Sequence, residues 1–167
     1  LKTLGSYDGI LVPGGFGSRG IQGKLEAIRY ARENKIPYLG LCYGMQLAVI
    51  EFAQHVSGIN GATSKELDDK ALHQVISIME SQKETLKGKK YGGSMRLGAY
   101  DAVLKKGSIV AGLYGALSVS ERHRHRYEVN NQYVKQLVES GLIFSGTSPD
   151  GHLMEFIELP KAVHPFF

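Results

Sequence analysis

The first third of the chain alternates short apolar runs with amphipathic segments. Residues 7–13 form an apolar run that stops at the glycine-rich segment 14–20, which predicts a buried strand followed by a tight turn. Residues 21–34 repeat apolar side chains at i, i+4 and i+7 between charged ones, the pattern of an amphipathic helix. A second apolar run at 38–41 precedes another helical segment at 45–53. The order strand, helix, strand, helix predicts parallel strands joined by right-handed crossovers in an α/β fold.

The second half of the chain predicts an antiparallel extension of this α/β sandwich. Short apolar segments separated by glycines predict three strands, at 99–104, 108–113 and 117–120. A helix is predicted over 131–140, with Gly141 at its end, and two strands at 142–146 and 153–159 form a hairpin. The lysine-rich stretch 86–90 predicts an exposed loop.

Composition narrows the class of protein. The 167 residues include 20 Lys and Arg against 16 Asp and Glu, a net charge of +4 that does not require a nucleic-acid partner. A single cysteine excludes an internal disulfide and a cysteine-based zinc cluster, so the reducing cytoplasm is the expected location. No apolar run approaches the ~20 residues of a membrane span, and no membrane partner is expected. The chain starts at Leu1 without signal-peptide features, and we expect it to be part of a longer protein.

Residues 15–20 match the pattern G-x-G-x-x-G between a predicted strand and a predicted helix. This is the context of a dinucleotide-binding turn, but such sites also use an acidic residue about 20 positions further on to bind the ribose. Here the second strand ends in Gly-Leu-Cys at 40–42. Dinucleotide binding is therefore disfavoured, while a plain tight turn remains open.

A second glycine motif, G-x-C-x-G at 40–44, lies where the second strand turns into the second helix. This arrangement predicts a nucleophile elbow with Cys42 as the nucleophile, since the helix N-terminus favours a thiolate. The oxyanion hole of such elbows combines the N–H that follows the nucleophile with an N–H from an earlier loop. Tyr43 and the 14–15 loop occupy these two places. The alternative interpretation is that Cys42 is a small core residue.

These motifs resemble a known family. Val-Pro-Gly-Gly-Phe-Gly at 12–17 and Leu-Cys-Tyr-Gly-Met-Gln at 41–46 resemble the class I, triad-type glutamine amidotransferases. The segments 92–98 and 121–130 are similar to the amidotransferase domains of the CTP synthase family. The resemblance implies one amidotransferase domain over residues 1–167, folded as a flavodoxin-like three-layer sandwich with a mostly parallel central sheet.

The resemblance also implies an activity. L-Glutamine would be hydrolysed through a γ-glutamyl thioester on Cys42, and the ammonia would pass to a synthase domain of the same polypeptide. That domain would aminate UTP to CTP with ATP and Mg²⁺, under allosteric control by GTP, in a ligase of pyrimidine biosynthesis that forms homotetramers. No cofactor or metal is expected in the amidotransferase domain itself.

The resemblance assigns site residues by position. Backbone N–H groups of Gly15 and Tyr43 would form the oxyanion hole. Tyr43 stands where the family usually has Leu, and only its backbone N–H is expected to act. Glu66 would bind the substrate ammonium, Arg126 would make polar contacts, and Gln46 would offer its amide. The expected glutamine site comprises Gly15, Tyr43, Gly44, Met45, Gln46, Glu66 and Arg126.

The basic segment 122–126 contains three arginines and two histidines. On a strand its arginines would share one face and its histidines the other. Flanking Glu121 and Glu128, and the lack of an aromatic ladder, argue against nucleic-acid binding. In the family this segment lies near the glutamine site and takes part in the response to GTP.

A cysteine nucleophile needs a histidine base and a carboxylate. His55 lies 13 positions beyond Cys42 along the second helix, roughly 20 Å away, and is excluded. His164 is followed by Pro and by Phe166, whereas the family's catalytic segment reads His-Pro-Glu. The catalytic histidine and glutamate are therefore expected after Phe167, and the domain is expected to be incomplete at both ends. This chain alone is expected to be inactive.

Two other functions remain open at this point. One is a different hydrolase with a cysteine elbow, such as a DJ-1-like protein. The other is a non-catalytic regulatory or binding domain. Release of ammonia from L-glutamine would separate the amidotransferase from both.

Overall fold

A computed structural model describes residues 2–78 and 95–167. The first part of the chain forms one short 3-10 helix, two strands and two helices, in the order Lys2–Ser6, β1 (Ile10–Val12), α1 (Ile21–Asn34), β2 (Tyr38–Gly40) and α2 (Tyr43–His55). β1 and β2 pair in parallel, with Ile10 opposite Tyr38. The predicted strand–helix–strand–helix order is confirmed.

Helix α2 is the centre of the core. Ten of its 13 residues are buried, so it is covered on nearly all sides. Helix α1 buries one stripe, formed by Leu25, Ile28 and Ala31. The two helices are joined by an ion pair in which Arg32 donates to both carboxylate oxygens of the fully buried Glu51, at 2.8 and 2.9 Å. The carboxylate enters the core because the guanidinium satisfies both of its oxygens.

The remaining elements form two more sheets and two more helices. The strands are β3 (Thr63–Ser64), β4 (Gln74–Ile78), β5 (Arg96–Leu104), β6 (Ser118–His125), β7 (Tyr127–Val129), β8 (Ile143–Thr147) and β9 (Met154–Glu158), and the helices are α3 (Ile109–Tyr114) and α4 (Asn131–Glu139). β3 pairs in parallel with β4, which pairs antiparallel with β7, and the order β6-β5-β8-β9 is antiparallel throughout. The predicted α/β fold and its antiparallel extension are confirmed, and the described sheets are mixed, with parallel pairing confined to β1–β2 and β3–β4.

Residues 108–113 were the one predicted strand that the structure shows as a helix, α3. The hydroxyl of Ser108 caps the helix by accepting the Ala111 N–H at 3.1 Å. The buried carboxylate of Glu158, on β9, accepts the first two N–H groups of α3 at 3.0 and 3.3 Å. A short apolar run is compatible with either structure, and here a carboxylate distant in sequence stabilises the helix N-terminus.

The predicted second-half helix and hairpin are confirmed. Helix α4 is capped by the Asn130 side chain, which accepts the Gln132 N–H, and Gly141 beyond its end has a φ of 104°. The predicted loop at 86–90 and the start of the 92–98 motif lie outside the described residues. Among residues 2–78 and 95–167, no helix combines the length and apolar character needed to cross a membrane.

Candidate active site

Cys42 occupies a strained backbone conformation between β2 and α2. Its φ of 53° and ψ of −100° lie in a region that residues with side chains rarely adopt. The backbone around it is crowded: a Cβ on Gly40 would come within 2.7 Å of the Gly44 backbone, and one on Gly44 would overlap the Val12 carbonyl oxygen. Both glycines of the G-x-C-x-G motif are thus required by close packing. The thiol itself is exposed, as a nucleophile elbow requires.

The 14–17 loop lies over this elbow. A Cβ on Gly14 would contact the Cys42 side chain at 3.8 Å, and one on Gly15 would contact the Tyr43 ring at 3.4 Å. Tyr43 is the first residue of α2, so its N–H has no partner within the helix. The two backbone N–H groups predicted to form an oxyanion hole therefore belong to segments that meet beside Cys42.

Glu66 reaches the same loop from β3. The Gly17 N–H donates to Glu66 Oε1 at 3.0 Å, and the Glu66 N–H donates to the Ser64 hydroxyl at 3.1 Å. The Tyr43 hydroxyl donates to the Gly17 carbonyl at 2.5 Å. The structure thus brings Glu66, which is distant in sequence, to the loop that covers the elbow.

Gln46 and Arg126 are linked through the backbone. The amide nitrogen of buried Gln46 donates to the Tyr127 carbonyl at 2.9 Å and so ties α2 to the start of β7. Arg126, half-buried, lies between β6 and β7 next to this contact. The Gly44 carbonyl accepts the Tyr38 hydroxyl at 2.8 Å, and half-buried Met45 lines the cleft beside Cys42. One N–H of the Gln46 amide therefore holds the segment that carries Arg126.

A network of charged side chains lies behind Cys42. His125 Nε2 is 2.7 Å from Glu128 Oε1, and Arg96 forms ion pairs with Glu128 at 3.4 Å and Glu155 at 2.6 Å. His123 approaches Arg96 at 3.3 Å, and its ring lies 5.1 Å from that of His125. His125 also lies beside Cys42, and both residues line the same cleft. We call these five residues beside the cysteine, Arg96, His123, His125, Glu128 and Glu155, the His125 cluster.

The pKa values of the two histidines in the cluster are shifted in opposite directions. Burial lowers the pKa of His125, but hydrogen bonds to Cys42 and Glu128 outweigh it and raise the pKa to about 9. Burial, together with the charges of Arg96 and His125, lowers the pKa of His123. At neutral pH His125 is thus an imidazolium and His123 a neutral imidazole. The positive charge of His125 is held against the carboxylate of Glu128, 2.7 Å away.

The sequence analysis missed His125 as a neighbour of Cys42. Alternation along β6 was predicted correctly for Arg122 and Arg124, which are exposed, while the histidines between them turn inward. Arg126 follows the end of β6 and does not continue this face. The inward alternation was the one available signal, but it did not reveal that the inner face of β6 is turned towards the elbow.

His164 has a structural position. It is fully buried, its Nε2 lies 3.2 Å from the Ala31 carbonyl, and its Nδ1 accepts the Phe166 N–H at 3.2 Å. Both ring nitrogens are occupied within the protein, as expected for a residue that is not the base. His55 Nδ1 lies 3.1 Å from the Glu51 carbonyl at the far end of α2.

An NMR titration of the histidines tests whether Glu128 raises the pKa of His125. In a histidine NMR titration of this chain, we expect one imidazole with a pKa of about 9, which Glu128→Gln returns towards 6.5 because the carboxylate no longer favours the charged form. The raised pKa adds stability that is complete below pH 6.5 and is lost as the pH rises through about 9. Glu121→Gln, on the same strand but bonded to Tyr114, is the matched control. A high-pKa imidazole that persists in Glu128→Gln would contradict the assignment.

Cys42 lines a cleft of about 580 Å³ that lies between the elbow and strands β6 and β9. Its walls combine the two histidines and two glutamates of the His125 cluster with apolar side chains, including Leu113 and Phe156. Within the described ranges no three His, Cys, Asp or Glu side chains are placed to hold a metal ion. Among the predicted glutamine-site residues, Met45 and Gln46 line this cleft, whereas Gly15, Tyr43, Glu66 and Arg126 do not, so the cleft and the 14–17 loop lie on different sides of Cys42.

The chain is similar to characterised families along its whole length. The sequence profile of the family described as "Glutamine amidotransferase class-I" matches residues 1–166. CTP synthases of Rhodococcus jostii (strain RHA1) and Acidothermus cellulolyticus are 61% and 57% identical over 166 and 167 residues. Each alignment covers 99% of this chain but only 28% and 30% of the relative, so the chain spans less than a third of their length.

A solved structure shares the fold. The glutaminase domain of Trypanosoma brucei CTPS with bound acivicin is 42% identical, with a TM-score of 0.89. The match covers 99% of this chain and 62% of that chain. The resemblance and the class I glutamine amidotransferase fold predicted from the sequence are confirmed.

Proposed function

The chain belongs to the class-I glutamine amidotransferase family, and we propose that it is the glutaminase domain of a CTP synthase, with Cys42 as its nucleophile. The observation that carries this proposal is the strained elbow at Cys42 with the 14–17 loop and Glu66 over it. Such an elbow exposes a sulfur beside two backbone donors, which is the arrangement that acyl transfer needs.

The reaction proposed for this site has two halves. The Cys42 thiolate attacks the side-chain carboxamide carbon of L-glutamine, and the N–H groups of Gly15 and Tyr43 stabilise the oxyanion. The C–N bond then breaks, the nitrogen takes a proton and leaves as ammonia, and a γ-glutamyl thioester remains. Water attacks the thioester, which releases glutamate and restores the thiol. Proton transfers are assigned to the histidine and glutamate expected after Phe167.

Glutamine would be held by residues around the elbow. The Glu66 carboxylate binds the substrate ammonium, and the Arg126 guanidinium binds the substrate carboxylate. The imidazolium of His125 adds positive charge on the other side of Cys42. The backbone of Gly44 and Met45 completes the wall at the start of α2, where the helix N-terminus favours anionic groups.

The ammonia would be consumed elsewhere in a longer polypeptide. We propose that residues 1–167 are part of one amidotransferase domain, joined to a synthase domain that uses ATP, UTP and Mg²⁺ and responds to GTP. A homotetramer in the cytoplasm is the expected assembly. The support for this proposal is that the similar CTP synthases are more than three times as long as their match to this chain.

Covalent labelling tests the glutaminase proposal directly. Acivicin, the compound bound in the trypanosomal glutaminase domain, should add its mass to the Cys42 peptide of the full-length protein, and excess L-glutamine should prevent the addition. D-Glutamine is the control and should protect Cys42 at least tenfold less. Glu66 and Arg126 are proposed to contact the ammonium and the carboxylate on the α-carbon, and these groups are exchanged in the D-isomer. Modification that L-glutamine does not slow, with no ammonia released from glutamine, would favour a different cysteine hydrolase such as a DJ-1-like protein.

A further inference from the structure

The side chain of Tyr43 is engaged at the site, although only its backbone N–H was expected to act. The residue is 1% exposed, at the first position of α2. Its hydroxyl donates to the Gly17 carbonyl at 2.5 Å, and the Lys24 ammonium lies 5.3 Å from the centre of its ring. A leucine at this position could fill the same space but could not make the hydrogen bond to the loop.

Gly17 connects Tyr43 to Glu66. The Gly17 carbonyl accepts a hydrogen bond from the Tyr43 hydroxyl. The Gly17 N–H donates one to Glu66 Oε1 at 3.0 Å. Gly17 has a φ of +75°, and no heavy atom lies within 4 Å of the position that a Cβ would take. The neighbouring Phe16 is 88% exposed and provides no packing anchor. Hydrogen bonds rather than packing therefore hold this part of the loop.

The electrostatics keep the hydroxyl in its donating form. Burial, and then the negative charge of Glu66, raise the pKa of Tyr43 to about 12. The phenol thus stays protonated over the whole neutral range, and its hydrogen bond to Gly17 does not depend on pH. The Ser64 hydroxyl holds the backbone of Glu66 from the opposite side, at 3.1 Å.

We infer that the Tyr43 hydroxyl is a positioning group for glutamine recognition: it fixes Gly17 through the carbonyl, and the N–H of the same residue aims the Glu66 carboxylate at the substrate ammonium. This inference rests on the proposed glutaminase function. Because Glu66 would contact the substrate before and after the chemical step, loss of the hydroxyl should weaken binding more than catalysis.

Tyr43→Phe in the full-length protein tests the inference. The variant keeps the buried ring and removes one hydrogen bond, a loss of about 0.5–1.5 kcal/mol that corresponds to roughly a two- to tenfold rise in KM for glutamine. We expect kcat to stay within about twofold and ammonia-dependent amination to be unchanged. Tyr133→Phe is the matched control, since its hydroxyl lies 3.3 Å from His73, outside the site, and should leave KM as it is.

A double-mutant cycle separates positioning from a general structural effect. If Tyr43 acts through Glu66, Tyr43→Phe should change kcat/KM by less than about twofold in a Glu66→Gln background. An unchanged KM in Tyr43→Phe, or the same loss with and without Glu66→Gln, would overturn the inference. Wild-type protein that releases no ammonia from glutamine would instead overturn the proposed function, so the two failures are distinguishable.

Discussion

Cys42→Ser in the full-length protein should abolish glutamine-dependent amination of UTP and leave ammonia-dependent amination at the wild-type level. The thioester requires a sulfur nucleophile, and a serine hydroxyl on the same elbow is far less ionised at neutral pH. Loss of such a nucleophile costs several powers of ten in rate. Free ammonia bypasses the thioester altogether, so the second activity reports whether the protein is still folded.

Both activities can be measured by the formation of CTP, with L-glutamine or ammonium chloride as the nitrogen source. Gln136→Ala is a useful control, because this exposed side chain on α4 donates to the Ser57 carbonyl, away from the elbow. It should retain both activities. Equal loss of the two activities in Cys42→Ser would show that Cys42 has a structural role, as in the core-residue interpretation.

The 167-residue chain alone should show no measurable glutaminase turnover. His164 has both ring nitrogens engaged in the core, and His55 lies at the far end of α2. His125 lies beside Cys42, but with a pKa of about 9 it is an imidazolium at neutral pH, and we do not expect it to act as the general base. Without a base, we expect a rate several powers of ten below that of the full-length protein.

The measurement is ammonia and glutamate release by the purified chain, with the full-length protein as the reference. Turnover that disappears in His125→Asn and rises with pH through about 9 would show that His125 serves as the base, contrary to this prediction. Turnover that disappears in His164→Ala, and is unaffected by changes at the other histidines, would restore His164 as the base. Either result would place the general base within these 167 residues.

Local patterns predicted the elements that are stabilised by their own sequence. Helix α1 was predicted to its last residue, because its apolar stripe and its polar positions follow the helical repeat without interruption. The elbow could be predicted because close backbone contacts require glycine at 40 and 44, and such a requirement is visible in the sequence. The proposal that Cys42 is a nucleophile rests on the turn on which it lies.

The segment 108–113 was assigned wrongly for the opposite reason. Its apolar run is short enough for a strand or a helix, so local propensity does not decide between them. The carboxylate of Glu158, about 50 positions away, supplies the acceptors that the N-terminal N–H groups of α3 need. A contact of this sequence separation cannot be read from a local window.

The sequence by itself determined the α/β class and the elbow that carries Cys42, because strand, turn and helix patterns there are local. Only the tertiary structure decided what surrounds Cys42. It turned the inner face of β6 towards the elbow, so that His125, paired with Glu128, lies beside the cysteine, and it placed Glu66 against Gly17, which also accepts the Tyr43 hydroxyl. Side-chain charge states, and hydrogen bonds across 26 and 49 positions, depend on packing between elements, which no local pattern records.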